Sequence, residues 1–265
     1  MTAKIRFWQW PNVLAIDAGM IAAAWLWVFA RQQQASLGTT PYLVLALSVW
    51  LTYLADRLFD AGPREKIQLR SARHQFAKRR SVILWLIWIA LFPLNLALAL
   101  TSLNPSQLMR GFVMLFFCLA YTILNHLLSG RFFPKELFVA VLFAGGIQVF
   151  LPDHCAWGCL AGFTILCLVN CLMIGWKEKT VDALLEVRSL SSVLDLRWGH
   201  GLLVLAVGIS LFSDCTFALL PPALLLGTIQ LKRECLGREP FRVLCDSALL
   251  IGPLLYFFCS GVLVR

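Results

Sequence analysis

Charge is what this chain has least of. Only 14% of its 265 residues are charged and 60% are hydrophobic, whereas an ordinary soluble domain is about half apolar and a quarter charged. Acidic side chains are scarce, fourteen in all. No polar or low-complexity stretch of domain length separates the apolar runs, which leaves no room for a soluble domain. The runs are continuous and do not alternate, so a membrane β-barrel is excluded. G-x-S-x-G, the P-loop and G-x-G-x-x-G are all missing, and hydrolase, ATPase and dinucleotide-dependent readings therefore have no motif. None of the nine cysteines forms a C-x-x-C pair. Cys155 and Cys159, like Cys167 and Cys171, are four apart but lack further ligands, so the cysteines are expected to be small buried apolar side chains and no disulfide framework is anticipated. His126, His154 and His200 show no ligand spacing.

What is present is a series of apolar segments too long and too poor in charge for core helices. Nine candidate spans fall at about 13–30, 41–60, 81–101, 107–128, 136–151, 155–176, 200–213, 214–231 and 243–264, with eight as the alternative because the seventh is short. The expected fold is all-α, one polytopic transmembrane domain over 1–265. The start of the chain has a basic opening and an apolar run, but no A-x-A site and Asp17 within the run. It reads as a retained first helix.

The net charge of +9 is explained by topology, and nucleic acid is not an expected partner. With nine spans and the N-terminus in the cytoplasm, the inside segments carry 19 of the 23 Lys and Arg and the outside ones three. That asymmetry follows the positive-inside rule. The protein is expected in the membrane as a multi-pass chain with its N-terminus cytoplasmic. Two inside segments, 61–80 and 177–199, are the richest in polar residues.

Against this background the acidic pairs stand out. Asp56 and Asp60 end the second span, and Glu178 and Asp182 end the sixth. A spacing of four puts each pair on one helix face, and like charges so placed repel unless a cation lies between them. Both pairs fall on the inside end, beside the basic loops. Mg²⁺ takes carboxylate oxygens and shares its other positions with phosphate, while Lys and Arg hold phosphate directly. The pattern describes a site for an amphiphilic diphosphate, where metal stabilises the leaving group of an allylic diphosphate. The plainer alternative is that such residues face water or pair with loop cations.

At these residues the chain resembles the UbiA superfamily of intramembrane prenyltransferases. The family's first motif, N-D-x-x-D-x-x-x-D, corresponds to Thr52-Tyr53-Leu54-Ala55-Asp56-Arg57-Leu58-Phe59-Asp60. Thr52 and Tyr53 stand where the family has Asn and Asp. The second motif, D-x-x-x-D followed by G and K-S, is similar to Glu178-x-x-x-Asp182 followed by Arg188-Ser189, with Glu186 at the glycine position. Trp10-Pro11-Asn12, Tyr121 and the Phe-Ala-Gly-Gly-Ile ending at Ile147 look familiar in the same sense. The resemblance covers most of the chain and implies about nine helices around a central cavity near the cytoplasmic face. It further implies that Asp56, Asp60, Glu178 and Asp182 are catalytic Mg²⁺ ligands, with Arg57, Arg73, Lys135 and Lys177 on phosphate oxygens. The implied activity is transfer of a prenyl group from an isoprenyl diphosphate to a lipophilic, often aromatic, acceptor; some relatives cyclise the chain instead.

Two further residues are candidates for the substrate site. Asp17 lies inside an apolar span, where a carboxylate costs about 2.5–3.5 kcal/mol on insertion scales and usually faces a cavity. Asn170, two turns before Glu178, shares its face; an interhelical hydrogen bond is the other reading. His74 follows Arg73 in the basic loop as a solvated residue or a phosphate contact. Functions outside this chemistry are a transporter, which the surface position of the acidic pairs disfavours, and a non-catalytic membrane scaffold.

Overall fold

A computed structural model describes residues 5–62, 71–128, 131–152, 156–184 and 189–263; the side chains of 126, 180–184 and 260–263 are outside that description. Most of the described residues are helical, and none is in a strand. A short 3₁₀ turn leads into α1 (Trp10–Val13), followed by α2 (Ile16–Gln32), α3 (Thr39–Ala61), α4 (Ala72–Arg79), α5 (Ser81–Ser102) and α6 (Pro105–Leu127). The second half holds α7 (Lys135–Gln148), α8 (Trp157–Leu184), α9 (Leu190–Val193), α10 (Leu196–Leu211), α11 (Thr216–Leu231) and α12 (Arg238–Leu263).

Each of the nine apolar segments in the sequence coincides with one helix, from α2 and α3 through α5–α8 to α10–α12. Helix and crossing are separate matters. Among the described residues five helices, α3, α5, α6, α8 and α12, are long and apolar enough to cross a membrane, or six if the bent pair of α1 and α2 counts as one span. α7, α10 and α11 have 14, 16 and 16 residues, short of the 17–25 that a hydrocarbon layer requires. The outward faces of α5 and α6 carry rows of exposed Leu, Ile, Val and Phe, far more apolar surface than a water-soluble monomer shows.

The core is built on α2, α8 and α12. Trp25 of α2 packs against Phe163 of α8 with ring centroids 4.2 Å apart and the rings tilted by 32°. Its indole N–H donates to the Leu249 carbonyl of α12 at 2.8 Å, which satisfies the one polar atom of a fully buried ring. Close approach between helices depends on small residues. A Cβ on Gly19 would lie 2.8 Å from the Ala46 carbonyl of α3, and one on Gly252 of α12 would collide with the Ala218 carbonyl of α11.

One connection breaks the helical run. Ala15 has φ 60°, a left-handed conformation that costs a residue with a Cβ roughly 1–2 kcal/mol. There α1 and α2 meet at 74°. The carbonyls freed by the break are taken by α3: Arg57 Nη1 donates to Asn12 O at 2.5 Å and Val13 O at 2.9 Å, and Trp50 Nε1 to Leu14 O at 2.7 Å.

The cysteine expectation needs one correction. Cys159, at the start of α8, is bridged to Cys215, just before α11, with Cα atoms 5.7 Å apart. Two helix starts 56 residues apart in sequence meet at one end of the bundle, which no local spacing reveals. Six other described cysteines are free.

Gly252→Val is expected to lose folded protein, because its side chain meets backbone that cannot move aside; overpacking alone costs about 1–3 kcal/mol. Size-exclusion profiles and thermal unfolding in detergent would check this, with Gly227→Val, where a Cβ meets nothing within 4 Å, as the tolerated control.

Candidate functional site

A cavity of about 1010 Å³ opens where α1, α2, α3, α4, α6, α7, α8 and α12 converge. Eight of the sequence candidates line it: Asp17, Asp56, Arg57, Asp60, Arg73, Lys135, Asn170 and Glu178. Lys177 is not among them. It lies about 100° round the helix from Glu178, and its Nζ donates to the Arg233 carbonyl at 2.5 Å and sits 5.7 Å from the centre of the Phe241 ring. Asp182 belongs to α8, but its side chain is outside the described residues.

The rim of the cavity is an alternating set of cations and anions. Glu178 pairs with Arg242 of α12 through one oxygen and with Arg73 of α4, at 3.5 Å, through the other. Arg242 also lies 3.7 Å from Glu239, one turn before it. Glu239 in turn accepts a hydrogen bond from the Ala72 amide at 3.2 Å, an anion on the unpaired N–H groups that begin α4. His74 Nε2 lies 3.9 Å from Asp60 and its Nδ1 is 2.8 Å from the Ser71 hydroxyl. α4 is thus tied to both α3 and α12.

Those ties leave donors over. Nε of Arg73 and both Nε and Nη1 of Arg242 are buried without a hydrogen-bond acceptor. Buried guanidinium donors are rarely left so, and both side chains line the cavity.

Deeper in, four polar side chains from four helices meet. Asn12 Nδ2 donates to Asp17 at 2.7 Å and to Asp246 of α12 at 2.8 Å, and Asn170 Nδ2 donates to the other oxygen of Asp246 at 2.9 Å. Arg57 lines the cavity, but its Nη1 serves the broken connection between α1 and α2. Glu136 serves the fold in a similar way: both its oxygens accept backbone N–H groups, of Leu190 and Ser191, and anchor α9.

Beside Asp56 the surroundings turn apolar. A groove of about 260 Å³ runs between α3, α5, α6 and α7 and shares Tyr53, Asp56, Tyr121, Val139 and Phe143 with the cavity. From Asp56 to Val44 it follows α3 for twelve residues, about 18 Å at helical rise. Beyond the shared residues its lining is apolar, mostly Leu, Val, Ala and Phe with Met114, Cys118 and two glycines, apart from Thr52, the Ser48–Asn95 pair and Gln107.

Among the described residues no group of three or more His, Cys, Asp or Glu side chains is gathered to hold a metal ion. Mg²⁺ does not require one: one or two carboxylates suffice when phosphate and water fill the other positions. Asp56 and Asp60 lie one turn apart on the cavity wall and would be such a donor set.

Sequence reasoning missed Asp246, Arg242, Glu239 and the role of Asn12. The signal for Asp246 was the one that picked out Asp17, a carboxylate inside an apolar span. Arg242, four residues earlier on α12, shares its helix face. Asn12 is a different case, because its importance arises from the break at Ala15.

Asn12→Ala is expected to destabilise the fold by about 1–3 kcal/mol, since it leaves two half-buried carboxylates without their common donor. Adding Asp246→Asn should recover part of that loss, as thermal unfolding of the single and double variants would show. Comparison of the chain with family models, with curated proteins and with solved structures finds no match.

Proposed function

We propose that this protein is a Mg²⁺-dependent intramembrane prenyltransferase of the UbiA type, which ionises an isoprenyl diphosphate and passes the prenyl group to a lipophilic acceptor. One observation carries the reading. The cavity that joins the Asp56–Asp60 pair to buried guanidinium donors without acceptors opens directly into an apolar groove. A ligand that fits both is an anionic head on a hydrocarbon tail.

In this reading Arg73, Arg242 and Lys135 hold phosphate oxygens, and Asp56 and Asp60 hold the metal. When bound, Mg²⁺ supplies Lewis-acid stabilisation of the departing diphosphate. The allylic C–O bond breaks with its electron pair leaving on the diphosphate. Tyr53, Tyr121 and Phe143, at the junction of cavity and groove, present aromatic faces to the cationic carbon. Tyr53 stands where the UbiA motif has an aspartate, so this wall is more aromatic and less anionic than the motif implies. That same feature favours a second reading, a membrane terpene cyclase, in which an alkene of the same chain replaces the acceptor.

The membrane arrangement belongs to the proposal. Nine passes, three of them on helices shorter than a usual span, with the N-terminus cytoplasmic would put the cavity at the cytoplasmic face, and the 19-to-3 distribution of Lys and Arg supports that orientation. The Cys159–Cys215 bridge falls at the opposite, charge-poor end, where an oxidising compartment preserves disulfides. Exposed Cys235 lies at the cavity end. A membrane-impermeant maleimide is expected to label it in sealed right-side-out vesicles only after permeabilisation; labelling beforehand overturns the orientation.

The decisive assay is diphosphate release by protein in lipid nanodiscs, with prenyl diphosphates of increasing length and either Mg²⁺ or EDTA. Release is expected to need Mg²⁺ and to fall about 10²-fold or more in the Asp56→Ala, Asp60→Ala double variant. Hydrocarbon formed without acceptor identifies a cyclase, and product formed only with acceptor a transferase. No release from any chain length by folded protein overturns both.

A further inference from the structure

The polar cluster at the floor of the cavity is separate from the head-group residues and has no part in the ionisation proposed above. It contains two carboxylates, Asp17 and Asp246, whose oxygens are 2.7 and 2.8 Å from the same Asn12 amide nitrogen. No cation pairs with either carboxylate directly among the described ion pairs. Their hydrogen-bond donors among the described residues are neutral: Asn12 and the Ala18 amide for Asp17, and Asn12 and Asn170 for Asp246. A carboxylate offers about four acceptor positions, so both keep capacity to accept a proton.

A second, independent observation points to a ligand at this place. Asn170 is only 6% exposed and lines the cavity, and its Nδ2 is committed to Asp246 while its Oδ1 has no donor. An orphaned acceptor inside an apolar bundle is rarely tolerated, and a hydroxyl or N–H brought by a ligand would relieve it. Position fits as well. Asn170 precedes Glu178 by eight residues on α8, about 12 Å deeper at helical rise. The cluster therefore lies deeper in the same cavity than the head-group residues.

We propose that Asp17 and Asp246 are the proton acceptor of the reaction, with Asn170 receiving a hydrogen bond from a hydroxyl- or amine-bearing acceptor molecule. This rests on the reading of the cavity as a site of diphosphate ionisation. Once the C–O bond has broken, an electron pair of the acceptor forms the new bond to the allylic carbon. The proton that the acceptor must then lose passes to a carboxylate oxygen of the pair. In the cyclising variant of the chemistry an internal alkene supplies the electron pair, and a C–H proton leaves to the same oxygens as a new double bond forms. Either way one proton is released for each diphosphate, and no other reactant is needed. Asn12 is the positioning residue that holds the two carboxylates together.

The test separates ionisation from proton removal. Wild type, Asp17→Asn, Asp246→Asn, Asp246→Glu and Asp56→Ala are compared in nanodiscs, and diphosphate, prenylated or cyclised product and prenyl alcohol are measured in the same samples. The two Asn variants keep the shape and one donor geometry of the cluster. They are expected to continue releasing diphosphate while product falls about 10²-fold, the usual scale of a lost general base. Prenyl alcohol should take its place, because water then captures the cation. Asp246→Glu should recover part of the product, which a purely structural role would not allow. Asp56→Ala, by contrast, should lose diphosphate release and product together. Parallel loss of both in the folded Asn variants, or unchanged product, overturns this assignment while leaving the prenyltransferase reading intact. Absence of diphosphate release from wild type overturns both.

Discussion

Asn12 is held at both ends, and the cavity depends on that. Its side-chain amide ties Asp17 of α2 to Asp246 of α12, and its backbone carbonyl is bound by Arg57 of α3. The physical requirement behind this arrangement is strict: in an apolar bundle every exposed backbone and side-chain polar group must find a partner inside the protein. Breaking the helix at Ala15 violates that requirement locally. Arg57 and Trp50 restore it by reaching the freed carbonyls. With the break stabilised, α1 folds across the end of the bundle and delivers Asn12 to two carboxylates that would otherwise repel each other.

The rim obeys the same logic with full charges. Glu178 lies between Arg73 and Arg242, and Glu239 is shared by Arg242 and the start of α4. Removing one member would leave an unpaired buried charge, a loss of several kcal/mol in comparable networks. For a polyanionic head group this has a consequence. It would meet guanidinium groups already partnered, so its binding exchanges one anion for another and uses the remaining donors on Arg73 and Arg242. Such an exchange is selective: a single weak carboxylate gains little by displacing Glu178, whereas several phosphate oxygens can satisfy both guanidinium groups at once.

Much of the fold could be read from the sequence because hydropathy and helical periodicity are local. The nine apolar segments fall on nine helices, and the four-residue spacings put Asp56 with Asp60 on the cavity wall. What escaped reading is non-local. The turn of α1 against α2 depends on an arginine 42 positions beyond Ala15, and the Cys159–Cys215 bridge on two helix starts meeting. Lys177 was misplaced for a finer reason: it lies about 100° round α8 from Glu178, and its ammonium is taken by the Arg233 carbonyl and the Phe241 ring. Asp246 was legible in principle; its burial in an apolar span carried the same information as that of Asp17.

The boundary between cavity and groove gives the functional reading its specificity. A polar cavity alone would suit many soluble anions, and an apolar groove alone any acyl chain. Here the change from one to the other occurs within a single turn of α3, where Asp56 and Tyr53 line both spaces while Thr52 lines only the groove. A ligand confined to either space would leave the other side of that turn unsatisfied: guanidinium donors without acceptors, or apolar walls in contact with water. An amphiphile that crosses the boundary satisfies both. It also brings the bond between its charged head and its tail to the aromatic wall of Tyr53, Tyr121 and Phe143. In the proposed reaction that bond is the one whose cleavage creates a cation, and an aromatic wall is where a cation is best tolerated.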